Sequence, residues 1–296
     1  MNDQADAPDV MRNWLLRHMH FLILVLGLVF LIGISAVWAI DRFGCRLGAS
    51  CDTLASLNRA ADAEEFEAVV WQTTDPQPVE AAASAAHAPV SATVSILPLR
   101  AMMFIDSMMI VPGYLGLLLV FLVALSRGRS VMDTESRDKP WWHVPDWRLQ
   151  LACALAVAAA IFDIAENGMT VRAAEDALER LLADPTVADV HLATRLKWTF
   201  IALASTPLGI WAVAASRKDQ ETRRKAGSWL VAGGLACAAA TALLLVGEYG
   251  HVEWSTSAGA ATFALELLLI GAALWKATSS DDYASHPEGE GEPALW

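Results

Sequence analysis

The stretch FLILVLGLVFLIGISAVWAI, residues 21–40, carries no charge and only one hydroxyl, that of Ser35. A helix rises about 1.5 Å per residue, so this run would extend about 30 Å, the thickness of a bilayer's hydrocarbon core. A helix on the surface of a soluble protein would break the run with polar residues every three or four positions. The block that contains it is roughly Leu15–Ile40, and five more of the same kind follow along the chain. They are roughly Ile96–Leu125, Leu149–Met169, Leu196–Ala215, Ser228–Gly247 and Ala258–Trp275. Within lipid, backbone groups are satisfied only in helices or closed barrels, and blocks this long are helices. The fold class is therefore all-α, a polytopic transmembrane helix bundle of six spans in contact with the lipid bilayer. A hydrophobic content of 55% and a mean hydropathy of +0.39 over 296 residues agree with that reading.

The formal net charge of −12 gives no hint of a nucleic-acid partner. The chain also lacks a Gly-rich phosphate loop, an H-E-x-x-H pair and a C-x-x-C pair. No cofactor is assigned.

Six spans place both termini on one side of the membrane. If that side is the cytoplasm, thirteen of the 21 Lys and Arg residues are inside and eight outside. Density decides more than totals, and Arg217–Lys225 packs five positive charges into nine residues. The expectation is a multi-pass protein of a bacterial inner membrane with both termini cytoplasmic. The uncharged run at 21–40 exceeds the roughly 7–15 apolar residues of a signal peptide, so the first span reads as an uncleaved anchor.

Residues 1–40 form the cytoplasmic N-terminus and first span, and 41–95 an extracytoplasmic loop. Cys45 and Cys51 lie in that loop, where an oxidising compartment would allow a small disulfide. Cys153 and Cys237 lie inside spans and read as packing residues. Leu54–Trp71 is an amphipathic stretch with Leu54, Leu57, Ala61, Phe66 and Val69 at near-helical spacing. The Ala-, Pro- and Ser-rich segment up to Ser95 reads as a linker. Residues 96–277 make a five-span bundle with an outer helical hairpin near 170–194, where a protein partner could dock. That hairpin carries an apolar stripe of Val171, Ala174, Leu178, Leu181 and Leu182, and Asp184-Pro185-Thr186 is its turn signal. The polar tail 278–296 lacks a periodic apolar face and reads as disordered.

Ionisable groups inside spans are costly in lipid, so they mark function. The segment FDIAENG, residues 162–168, places Asp163, Glu166 and Asn167 at i, i+3 and i+4, on one helical face. Counting rise from the outer boundaries puts Asp106 about 15 Å deep, Asp163 about 9 Å, Glu166 about 5 Å and Glu266 about 12 Å. Glu248 and Lys197 fall at outer ends, where an interfacial role would also explain them. The pattern suggests an outward-facing, carboxylate-lined pocket for a proton, a small cation or an amine, built by Asp106, Asp163, Glu166, Asn167 and Glu266. Tyr114, Lys197, Pro112, Pro207 and Glu248 would support it. Close carboxylates call for a cation, which Lys197 itself could supply. With Pro185 at the hairpin apex, however, Lys197 would face Ala173, and Ser205-Thr206-Pro207 would face Asp163. Pro207 would free the carbonyl of Leu203 and Pro112 that of Met108, unless both prolines are ordinary kinks. Freed carbonyls beside carboxylates are a way to build cation sites in membranes. Met102, Met103, Met108 and Met109 flank Asp106, but no Cys or His joins them for a copper site.

A span carrying Asp106 and Tyr114, a D-x-x-E-N span and then Lys197-Trp198 together resemble uncharacterised bacterial multi-pass membrane proteins, over roughly residues 96–216. The resemblance brings no activity with it and points only to these positions. The leading functional reading is a transporter or an ion- or proton-coupled binding protein. The alternatives are a membrane enzyme acting on a lipid head group, and a non-catalytic subunit or sensor.

Overall fold

The computed structural model describes residues 7–46, 57, 60–74, 92–130, 147–216, 226–250 and 253–278. The Cys45–Cys51 pairing, most of the linker and the tail beyond Thr278 lie outside the described residues. The elements are α1 (Ala7–Arg46), α2 (Ala63–Thr74), α3 (Ala92–Ile105), a π-helical turn (Asp106–Ile110), α4 (Val111–Ser130), α5 (Trp147–Leu178), α6 (Asp184–Ala215), α7 (Gly227–Gly250) and α8 (Glu253–Thr278). Among the described residues there is no strand. Six stretches are long and apolar enough to cross a membrane: Phe21–Asp41, Ile96–Ala124, Trp147–Leu178, Asp184–Ala214, Gly227–Gly250 and Ser255–Lys276. Large apolar side chains such as Phe21, Leu97, Phe104, Ile161, Ile210 and Leu235 lie exposed on these helices. In water they would be a liability, whereas lipid solvates them. The chain is a multi-pass membrane protein.

The helices divide into two compact units. One comprises Leu28–Gly113 and Ala159–Lys197, and the other Met1–Gly27, Tyr114–Ala158 and Trp198–Trp296.

In the first unit the turn between α5 and α6 differs from the expected apex at Pro185. Helix α5 ends at Leu178, and Arg180 takes a left-handed conformation with φ 57°. The amide of Leu181 donates to the carbonyl of Asp176 at 2.8 Å and that of Arg180 to Ala177 at 3.1 Å. These two bonds make a Schellman motif, which stops the helix and reverses the chain four residues earlier than the proline. Pro185 instead sits in the first turn of α6, where its missing N–H costs nothing. The apex is therefore centred near Leu181, and every residue of α6 faces a position on α5 closer to FDIAENG than Pro185 implied.

Helix α2 packs against this hairpin. The expected amphipathic run is not one helix, because residues 60–62 are non-helical and Asp62 begins a new one. The Asp62 carboxylate accepts from the amide of Glu65 at 2.9 Å, and the Glu65 carboxylate from that of Ala61 at 2.7 Å, a reciprocal cap. Ala61 is consequently exposed, while Ala60, Phe66 and Val70 are buried with Leu57. They close over Ile96, Leu99, Met102 and Met103 of α3, Ala173, Ala174 and Ala177 of α5, and Val187 and Val190 of α6. The amide of Ala63 also donates to Asp184 Oδ1 at 3.0 Å. The hairpin's apolar stripe is largely used in this packing, and Leu181 is left exposed. Helix α1 comes close to Gly113, where an added Cβ would lie 2.8 Å from Phe30 Cβ and 3.0 Å from its backbone. The glycine after Pro112 is needed for that approach.

In the second unit α7 and α8 pack through small residues. Gly233 lies against Ile270, Gly259 against Leu244 and Gly247 against Thr256, and Ser255 Oγ donates to the Leu243 carbonyl at 2.7 Å. Close approach of this kind maximises van der Waals contact where lipid offers no hydrophobic driving force.

Phe66 is fully buried at the centre of the α2 contacts. Its replacement by Ala is expected to cost about 3–5 kcal/mol and to lower the thermal midpoint of the purified protein in detergent. Ala61→Ser, at an exposed position, is expected to leave that midpoint unchanged.

Candidate functional site

The three polar groups of FDIAENG do share one face of α5, and the apex at Leu181 brings Lys197 of α6 level with them. Asp163, Glu166 and Asn167 are buried to 4–5% exposure, and Lys197 to 8%. Lys197 Nζ lies 3.1 Å from Asp163 Oδ1, to which it donates, and forms an ion pair with Glu166 Oε2. The ammonium is thus shared by two carboxylates one helical turn apart. The earlier placement of Lys197 opposite Ala173 is corrected by the Schellman stop, which shortens the hairpin.

Asn167, next to Glu166 on α5, bonds the second span. Its Nδ2 donates to Asp106 Oδ2 at 2.7 Å and to Ser107 Oγ at 3.0 Å, so both amide hydrogens are taken. Asp106 opens the π-helical turn, whose widened register shows in the bond from the Val111 amide to the Asp106 carbonyl. In that i→i−5 register the donor missing at Pro112 would have served Ser107, not Met108, so the carbonyl expected to be freed changes. A π turn is rare and concentrates at functional sites because it re-aims side chains. Here it starts at the acid itself. Asp106, partly buried, lies within the electrostatic reach of Asp163, Lys197 and Glu166.

Farther along the same two helices, Arg100 of α3 pairs with Glu175 of α5 at 2.5 Å, both half-exposed. The Arg100–Glu175 and Asp106–Asn167 contacts are successive rungs of one antiparallel pair. The first rung is open to solvent and the second leads to the buried ammonium. Met102 and Met103 are buried in the apolar cluster beneath α2, whereas Met108 is exposed, so the thioethers do not converge. Among the described residues no group of three or more His, Cys, Asp and Glu has the geometry of a metal site.

The remaining candidates belong to the other unit. Glu266 on α8 is fully buried, and so is Tyr114, which packs edge-on against Phe263 with ring centroids 6.0 Å apart. Glu248 accepts from Thr256 Oγ1 at 3.2 Å. Ser205, Thr206 and Pro207 are not set against Asp163 on the hairpin. They pack on α7, where Cys237 Sγ donates to the Ser205 carbonyl at 2.8 Å, and Thr206 Oγ1 donates back to Ala202 at 2.8 Å. Ser107 escaped the sequence reading, because a serine next to Asp106 should point away on an α-helix. The π turn removes that objection, and nothing in the sequence beyond Pro112-Gly113 signals it.

No family model, curated protein or solved structure matches this chain.

The ion group makes a test by single and triple substitution available. Lys197→Met leaves two buried carboxylates without their cation and is expected to cost about 3–5 kcal/mol of stability. Adding Asp163→Asn and Glu166→Gln to Lys197→Met is expected to recover much of that loss in thermal unfolding, because the uncompensated charges are then gone.

Proposed function

We propose that this chain is an inner-membrane protein with both termini cytoplasmic, which binds a proton or small cation at the Lys197 group and carries it across the membrane. One observation carries the reading: a buried ammonium held by Asp163 and Glu166, with a third acid, Asp106, within electrostatic reach of it and bonded to Asn167, the neighbour of Glu166 on α5. Three ionised carboxylates against one ammonium would leave two uncompensated negative charges in a medium that solvates them poorly. A bound proton or monovalent cation halves that excess, and its departure restores it. Occupancy would then change how strongly Lys197 is held between its partners, and so the contact between α5 and α6. The solvent-open rung Arg100–Glu175 supports an approach along α3 and α5. The π turn supports a helix that can change register beside the site. Burial of the hairpin's stripe under α2 leaves the docking reading with less surface than the sequence offered.

The test is ion flux through the purified chain in sealed proteoliposomes, read by internal pH-, sodium- and potassium-sensitive dyes under imposed proton, sodium or potassium gradients. Wild type is expected to dissipate at least one gradient faster than protein-free vesicles. Asp163→Asn is expected to lose that flux at least tenfold while keeping its folded thermal transition. Flux equal in wild type, Asp163→Asn and empty vesicles would overturn the reading.

A further inference from the structure

Glu266 presents a problem that the Lys197 group does not solve. It is fully buried on α8, and neither carboxyl oxygen accepts a hydrogen bond among the described residues. A carboxylate in that condition is severely penalised in a bilayer. The donors around it are turned elsewhere. The Cys237 thiol of α7 lies beside the carboxyl but donates to the Ser205 carbonyl at 2.8 Å. Thr241 of α7, next to Cys237, donates to the Ala202 carbonyl at 3.4 Å. Ser205 Oγ is itself buried without a partner among the described residues. No Lys, Arg or His among the described residues acts on Glu266. Cys237 is the titratable group that does, and Tyr114 of α4 is held one turn away by Phe263. The surroundings therefore offer the carboxyl no made hydrogen bond and no countercharge among the described residues. What such a pocket takes is a proton.

We propose that Glu266 is a reversible proton-binding site and that Cys237 is the positioning residue that follows its state. With the proton on Glu266 the carboxyl is neutral, and the thiol stays on the Ser205 carbonyl. When Glu266 gives its proton to water, the negative charge left on its oxygens attracts the adjacent S–H. The thiol hydrogen turns from Ser205 to the carboxylate and remains bonded to sulfur throughout. The Ser205 carbonyl then loses its thiol bond two residues beyond Leu203, whose carbonyl already lacks the donor missing at Pro207. The proton's arrival or departure would thus act on α6 within one turn of its proline break. This does not rest on the Lys197 reading, since its residues belong to the other unit and the measurement reads Glu266 alone.

Infrared difference spectroscopy of the full chain in lipid, with pH stepped, tests it. The expected result is a protonated-carboxyl carbonyl band at low pH that converts to carboxylate bands as pH rises and is missing in Glu266→Gln. The S–H stretch is expected to shift over the same pH interval. Cys237→Ala is expected to keep the acid band and displace its midpoint, and it carries the test if Glu266→Gln does not fold. The proposal is overturned by a Glu266 band that stays protonated, or stays ionised, at every pH the fold tolerates. It is equally overturned by conversion driven by sodium at fixed pH, or by a midpoint unmoved in Cys237→Ala.

Discussion

The ammonium of Lys197, buried between Asp163 and Glu166, constrains the first unit more than any other contact. Burying three charged groups costs several kcal/mol each before their attraction is counted. Such a group persists only if the helices carrying it are held in one register. Three features hold that register. The Schellman motif fixes where α5 ends, the capped helix α2 clamps the hairpin from the side, and Asp184 ties α2 to the start of α6. A slip of a single residue on α6 would rotate Lys197 about 100° away from the carboxylates.

The second span is drawn into the same constraint through Asn167. An amide is suited to this junction because it offers two donors without adding charge. It bonds Asp106 and Ser107, consecutive residues that an α-helix would aim about 100° apart. The π turn brings both to one amide, and the close approach of α1 at Gly113 packs the chain just beyond it. The irregular backbone, the glycine and the polar contact are thus one device on one helix.

Much of this was legible in the sequence, and the limits of legibility have physical causes. The six spans are a matter of composition, so uncharged runs such as 21–40 declare them without any partner being known. The common face of Asp163, Glu166 and Asn167 follows from helical spacing alone. What spacing could not supply was which residues face each other across a turn. Reading Pro185 as the apex shifted α6 by several residues and set Lys197 too far out, because a non-glycine left-handed residue, Arg180, makes the real stop. The break at Asp62 was passed over because the apolar spacing of Leu54–Trp71 runs across it, although Asp62 and Glu65 have the spacing of a capping box. Depth counting grouped Glu266 with the other acids, but depth is one coordinate and says nothing of direction around a helix. The fold assigns Glu266 to the other unit, beside Cys237.

The most direct measurement of the central claim is the distance from Lys197 Nζ to the side-chain carboxyl carbons of Asp163 and Glu166. Solid-state NMR dipolar recoupling in lipid bilayers can read it, with nitrogen-labelled lysine and carbon-labelled acids. Strong nitrogen–carbon couplings from Lys197 to both residues are expected, with their loss from the spectrum of Lys197→Met. A Lys197 nitrogen that couples to neither carboxyl would contradict the claim.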